Sequence, residues 1–367
     1  MRLLISNSMP TWGGGENWSL TAAAGLASRG HEVTLLCRPY GELRERAAGV
    51  PGIAVEELEI SWDIDPRAVL GALRVLRSRS VQAACCNLDR EVRTLGVAAR
   101  LAGVPLARRR GSDCALKNSL RYRLTYRHLV SRIIVNSLAT RSSILRANSW
   151  LDPSRLHLVY NGIDTSRFRP DPESGEAFRR AAGLGDGLLV GLVGSIFPRK
   201  RHETLLRACG ELRRADFRLV FAGPRAGEAH ASSLEELAAS LGLSDRIVWT
   251  GQVDDLRGCY NALDVVCLPS DNEGFGYAAA EAMACARAVV VSDASSLPEV
   301  AGADGALVFP AGDHAALASV LERLLEGHAL REDLGLAGRR RIESAFSMDR
   351  MLDALESFFR GLAGVSV

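Results

Sequence analysis

The sequence predicts an α/β protein built of two doubly wound domains, each a parallel sheet flanked by helices. Three observations carry that expectation. Short apolar runs alternate with amphipathic helical stretches along the whole chain, as right-handed βαβ crossovers require. The alternation comes in two series, separated by the Pro- and charge-rich segment RFRPDPESGEAF, which reads as a link without strand pattern. A chain of 367 residues with 47% apolar content is also large enough for two cores.

In the first series Leu3-Leu4-Ile5 reads as a strand. The loop TWGGGEN follows, then a helix from about residue 17 to Ser28 that Gly30 ends, and then the strand Val33 to Cys37. Further strands are predicted at 53–58, 81–86, 104–107, 132–136 and 155–159. Helices between them fall at about 66–78, 90–102, 119–130 and 137–147. The second series gives strands at 188–193, 217–222, 246–249, 264–268, 288–291 and 306–308. Helices at about 313–326, 330–344 and 348–362 close the chain. No short-period repeat suggests a solenoid.

Charge divides the two series. Residues 1–165 hold 23 Arg/Lys against 14 Asp/Glu, whereas residues 166–367 hold 22 against 29. The excess is densest at Arg108, Arg109, Arg110, Lys117, Arg121, Arg123, Arg127 and Arg132, where Asp113 is the only acid. Such a patch attracts anions. An anionic membrane surface or a phosphorylated acceptor is the expected partner, and a solvated basic helix is the plain alternative. No aromatic or zinc-finger motif accompanies the patch, so nucleic acid is not expected as a partner. Eight scattered cysteines without a C-x2-C, and equally dispersed histidines, argue against a disulfide framework or a structural metal. No apolar run is long enough to span a membrane. The N-terminus MRLLISNSMP reads as a strand and not a signal peptide, so the expected location is cytoplasmic.

The segment EGFGYAAAE sets Glu273 in a loop after the strand Val265 to Leu268 and Glu281 on the second turn of the next helix. A helix start behind a Gly-containing turn offers free N–H groups and a positive dipole end to a phosphate. Carboxylates accept hydrogen bonds from vicinal hydroxyls. Phosphates flanked by polyols describe a nucleotide sugar. Arg199 and Lys200, the latter one of only two lysines, precede another predicted helix, where they would neutralise a diphosphate. These motifs, with Gly13 to Gly15 and Gln252-Val253, all fall at strand carboxyl ends, where such sheets bind ligands. The glycine triplet is not a G-x-G-x-x-G fingerprint; its glycines would let a ligand approach the backbone closely.

EGFGYAAAEAMA resembles the E-x7-E signature of the retaining GT-B glycosyltransferases of family 4 (glycosyl transferases group 1). VYNGID, VGSIFPRKRHETLLRA, WTGQVDDL and LPEVAG match further segments of that family in order. The resemblance covers nearly the whole chain and is sharp from about residue 159 onward. It implies a GT-B fold, two Rossmann-like domains facing across a cleft. The implied domains are an acceptor-side domain at 1–165, a nucleotide-sugar domain at 166–346, and a C-terminal helix at 347–367 crossing back to the first, where Phe358, Phe359 and Leu362 would pack.

The resemblance also implies roles. Glu281 would bind the ribose hydroxyls, Glu273 would face the donor sugar, and Arg199 and Lys200 would take the place of a metal. Backbone around Gly274, Phe275, Gly276 and Tyr277 would meet the phosphates. Gly251, Gln252 and Val253 would contact the base, and Gly14 and Gly15 would face the donor phosphate and the acceptor. Two departures stand out. Ser195 follows Gly194 where many members carry Arg, leaving Arg199 or Arg201 to compensate. The stretch ARRRGSDCALK lacks the family's donor-touching His, leaving Arg110 or Asp113 in that space.

The expected activity is transfer, with retention, of a hexose-type unit from a UDP- or GDP-linked sugar. The acceptor would be a glycan or lipid-linked molecule of cell-surface polysaccharide or lipopolysaccharide synthesis, with no metal or other cofactor. The rivals are a nucleotide-sugar epimerase or hydrolase on the same fold, and a non-catalytic nucleotide-sugar-binding partner subunit.

Overall fold

The computed structural model describes residues 1–60, 64–213, 216–225 and 227–364. The chain divides into two compact units: Met1–Asn161 with the C-terminal helix from Asp349, and Gly162–Met348. The first boundary falls four residues before the expected one, and the returning segment starts two residues later than drawn; its last residues, 365–367, lie outside those described.

Unit 1 runs β1 (Arg2–Asn7), α1 (Gly14–Ser28), β2 (Glu32–Cys37), α2 (Glu42–Ala47), β3 (Ile53–Glu57), α3 (Pro66–Ser78), β4 (Ala83–Cys86), α4 (Asp89–Ala102), β5 (Leu106–Arg110), α5 (Leu120–Leu129), β6 (Arg132–Val135), α6 (Leu138–Ala147) and β7 (Leu156–Leu158). Its strands form one parallel sheet in the order β3-β2-β1-β4-β5-β6-β7. The central strands are covered on both faces, so they read as unbroken apolar runs such as Ala83 to Cys86, every residue buried.

Unit 2 begins with α7 (Pro172–Ala181), β8 (Leu188–Val193), α8 (His202–Glu211), β9 (Phe217–Ala222), α9 (Glu228–Ser240), β10 (Ile247–Gly251) and α10 (Leu256–Ala262). It continues through β11 (Val265–Leu268), α11 (Tyr277–Ala284), β12 (Ala288–Ser292), α12 (Leu297–Ala301), β13 (Leu307–Phe309), α13 (His314–Glu326) and α14 (His328–Ala345). Its parallel sheet has the order β10-β9-β8-β11-β12-β13. In both sheets the strand order reverses once, between β1 and β4 and between β8 and β11, and the crevice beyond the carboxyl ends at such a point is the binding position of doubly wound folds.

The helix α15 (Met348–Ala363) buries Met351, Leu352, Leu355, Phe358, Phe359 and Leu362. Phe358 meets His157 edge-on at 5.3 Å, and Arg29 pairs with Asp349 and Asp353. Gly25 of α1 admits Leu352, which a Cβ there would meet at 2.6 Å.

Two misreadings of the sequence bear on packing. The segment read as a structureless link contains α7, started by Asp171, which caps Ser174 N–H, and by Pro172 at the first helical position. Gly175 then lets α7 approach α10 closely, since a Cβ there would lie 2.6 Å from the Asn261 carbonyl. The second misreading is β5, which runs on through all three arginines to Arg110.

Candidate active site

The loops leaving β8 and β11 are joined at the switch point of unit 2. Lys200 Nζ donates to Glu273 Oε1 at 2.6 Å, and Arg199 Nη1 lies 3.4 Å from Oε2. The main chain reinforces the join: Asp271 N–H donates to the Arg199 carbonyl at 2.9 Å, and Arg199 Nη1 to the Asn272 carbonyl at 3.1 Å. Lys200 reaches Glu273 because Gly194, in a left-handed conformation (φ 142°), leaves room for its stem; a Cβ would sit 3.3 Å from Lys200 Cε. Ser295 and Ser296 hydroxyls donate to the Glu273 carbonyl at 2.7 and 2.9 Å and fix its backbone. Burial would raise the Glu273 pKa, but Lys200 and Arg199 hold it below the ordinary carboxylate range. The side chain is therefore an anion bracketed by two cations. Lys200 is nearly buried, while Arg199 is about half exposed (49%) and open to an incoming anion.

Gly276 caps α11 with φ 87°, and a Cβ there would strike Leu297 Cδ2 at 2.7 Å, so both the backbone and the space demand glycine. The first helical bond of α11 runs from Ala280 N–H to the Gly276 carbonyl, so the turn at Gly276 opens directly onto the helix start. Phe275 is buried edge-on against Tyr277 and Phe346, so its ring anchors the turn while its backbone faces the helix start. Glu281, on the second turn, accepts a hydrogen bond from Tyr260 Oη at 2.8 Å. Burial, partly offset by that bond, pushes its pKa up to about 7. Gly251 closes β10 with φ 67° beside a β-bulge, and Gln252 is exposed there. This end of the sheet lies two strands from β8, about 10 Å away at ordinary strand spacing.

Arg201 is not available to replace the missing Arg at Ser195. It adopts φ 51° as the residue before α8 and pairs with Asp271 and Glu203. That leaves Arg199.

The basic patch needs correction. Arg108, Arg109 and Arg110 are buried on β5. Arg108 and Arg110 share Asp89, which also accepts from Tyr126 Oη, and Arg109 lies over the Trp18 ring at 4.2 Å and donates to Asn161 Oδ1 at 3.0 Å. A charge on a buried strand requires such partners. Arg110, donating also to the Cys114 carbonyl, is held in place by these bonds. Of the patch, Lys117, Arg121, Arg123 and Arg127 are exposed, on and before α5, beside the exposed Leu120 and Leu124.

Gly14 and Gly15 are the first residues of α1 and not a loop, with the neighbouring Glu16 buried and bonded to Asn7 Nδ2 at 2.8 Å. Tyr260, Asp271, Ser295 and Ser296 went unread in the sequence. Tyr260 is indistinguishable there from a core aromatic, and the two serines follow β12, far in sequence from the glutamate they support.

Two family models match the chain: Glycosyltransferase Family 4 over residues 12–167 and Glycosyl transferases group 1 over residues 175–341. A D-inositol 3-phosphate glycosyltransferase of Salinispora arenicola is 37% identical over 222 residues, 56% of this chain; the match spans about half (49%) of that relative's length. A GDP-mannose-dependent alpha-(1-6)-phosphatidylinositol monomannoside mannosyltransferase of Mycolicibacterium smegmatis is 28% identical over 92% of both chains. The Anabaena protein HepE, solved in complex with UDP and glucose, superposes with a TM-score of 0.86 at 18% identity, covering 98% of this chain and 100% of that one, a likeness of fold. With a model matched to each unit and two doubly wound sheets of this topology, the chain belongs to the GT-B glycosyltransferases of group 1, family 4.

Proposed function

We propose that the protein is a retaining glycosyltransferase that moves a hexose-type sugar from a UDP- or GDP-linked donor to a glycan or lipid-linked acceptor. The observation that carries this reading is the Lys200–Glu273 pair across the switch point of unit 2, set beside the glycine-opened start of α11. In this reading the diphosphate seats on the amides of Phe275, Gly276 and Tyr277. Arg199 and Lys200 neutralise it and hold the charge that grows as the glycosidic bond breaks, in place of a metal. Glu273 faces the sugar ring, and Glu281, with one oxygen already bonded by Tyr260, accepts from the ribose hydroxyls. The base lies toward Gly251, Gln252 and Val253. Retention follows if the departing phosphate takes the acceptor proton on the same face. The acceptor belongs to unit 1, on the side of Gly14 and Gly15.

The named relatives are a D-inositol 3-phosphate glycosyltransferase and a phosphatidylinositol monomannoside mannosyltransferase, and the named structure holds UDP and glucose. These support a nucleotide-sugar donor and an acceptor of cell-surface glycan synthesis. No helix among the described residues is long and apolar enough to cross a membrane. Docking on an anionic membrane surface is assigned to the exposed α5 face, where Arg121, Arg123 and Arg127 flank Leu120 and Leu124.

Calorimetry with UDP, GDP and their hexose conjugates, followed by product analysis with and without glycolipid acceptors, tests the proposal. Transfer that requires an acceptor supports it. Turnover of the donor alone to free or epimerised sugar contradicts it in favour of a hydrolase or epimerase, and binding without turnover would mark a non-catalytic partner.

A further inference from the structure

At the end of unit 1 remote from the strand carboxyl ends, the last turns of α4 and α5 and the amino ends of β5 and β6 enclose an open groove of ≈ 620 Å³. Two glycines shape it. Gly96 lets α5 close on α4, since a Cβ there would lie 2.8 Å from Leu129 Cβ, and Gly103 ends α4 with φ 71°. Arg100, Arg127, His128 and Arg155 line the groove, and no carboxylate does.

Part of this charge has a structural task. Arg100 Nη1 donates to the His128 carbonyl at 3.2 Å, and Arg155 donates from Nη2 to the Tyr126 and Val130 carbonyls and from Nε to that of Ser131. These bonds satisfy the carboxyl end of α5. They leave Arg155 Nη1 and Arg100 Nε and Nη2 without hydrogen bonds among the described residues, where the Arg127 side chain makes none either. The two helix ends bring about half a negative charge each and Asp152 acts on Arg155 from outside the lining, so the three guanidinium charges leave the groove about one charge positive. Guanidinium groups brought to one groove by two helices and a loop offer donors from several directions, which the oxygens of a tetrahedral phosphate can accept together.

We propose that this groove is a binding site for a phosphomonoester, carried either by a soluble phosphorylated molecule or by a lipid headgroup presented beside α5. It is separate from the donor site of unit 2 and does not depend on the glycosyltransferase reading.

Ser131→Glu tests it cleanly. Ser131 is exposed and contributes only backbone bonds, its N–H to the Leu106 carbonyl at 2.7 Å and its carbonyl to Arg155, so the substitution adds a carboxylate and removes no bond. Inorganic phosphate titrated into the full chain should bind saturably. It should bind about tenfold or more weakly to Ser131→Glu and to Arg127→Gln. Sedimentation with phosphatidylcholine vesicles doped with phosphatidate or, at matched charge, with phosphatidylglycerol identifies the source. A phosphatidate preference that Ser131→Glu removes means a headgroup, and phosphate binding without such a preference means a soluble ligand. Phosphate binding that both unit 1 variants leave unchanged, or that never saturates, overturns the proposal.

Discussion

In unit 1 the loops leaving β1 and β4 are joined by Glu91, whose carboxylate accepts from the backbone N–H groups of Ser8, Asn87 and Leu88. In unit 2 the equivalent loops, leaving β8 and β11, are joined by Glu273, which meets two cationic side chains instead. Both glutamates are buried and occupy equivalent positions in the topology. Glu91 is saturated by main chain that cannot move without unfolding the loops. The partners of Glu273 are side chains, which under the proposed function would exchange it for a ligand phosphate. The same crevice is therefore closed by structure in one unit and left exchangeable in the other.

The largest effect should come from the closed side. Glu91→Ala removes the acceptor of the Ser8 and Leu88 N–H groups, Asn87 N–H keeping the Ser6 carbonyl, and should cost on the order of 2–5 kcal/mol of stability in urea unfolding, with nucleotide affinity of the folded protein unchanged. A loss of nucleotide binding at full stability would break the contrast between the two units.

On the exchangeable side, Glu281→Gln should weaken UDP or GDP binding by about 1.5–3 kcal/mol, a tenfold to hundredfold change measured by calorimetry. Its pH signature sharpens the comparison. Because the folded pKa of Glu281 is raised to about 7, its contribution to stability is complete below the ordinary carboxylate range and is lost as pH rises toward 7. Glu273, held low, behaves oppositely: its contribution is present above that range and lost as pH falls through its depressed pKa. Glu281→Gln should flatten the decline between about pH 4.5 and 7, worth on the order of 3 kcal/mol, and Glu273→Gln should not. Unfolding curves across that interval decide it.

These contrasts also explain what was legible in the sequence. Buried parallel strands announce themselves as apolar runs, and the EGFG turn carries its glycine and its acids within a few residues. Asp171-Pro172 also spelled a helix start, and was missed because the charge around it read as linker. Arg108 to Arg110 are not legible as strand, since the groups that accept from them, the Asp89 carboxylate and the Asn87 and Asn161 amides, are contributed by other elements. Tyr260 and the two serines behind Glu273 share that non-local origin.

A smaller effect is expected at the surface. Reversing Arg121, Arg123 and Arg127 to Glu should abolish sedimentation with anionic vesicles at low salt, each charge contributing roughly 1 kcal/mol, and should leave nucleotide binding intact. If the wild-type protein ignores such vesicles, the α5 face is only a solvated surface.

Under the proposed function Lys200, bridging the switch point to Glu273, stabilises charge on the departing diphosphate more than it holds the nucleotide. Turnover and nucleoside diphosphate affinity measured side by side for the wild type and Lys200→Ala test it directly. The account predicts a fall in kcat of about 100-fold or more, with a much smaller loss of affinity; near-normal turnover, or equal losses in kcat and affinity, would contradict it.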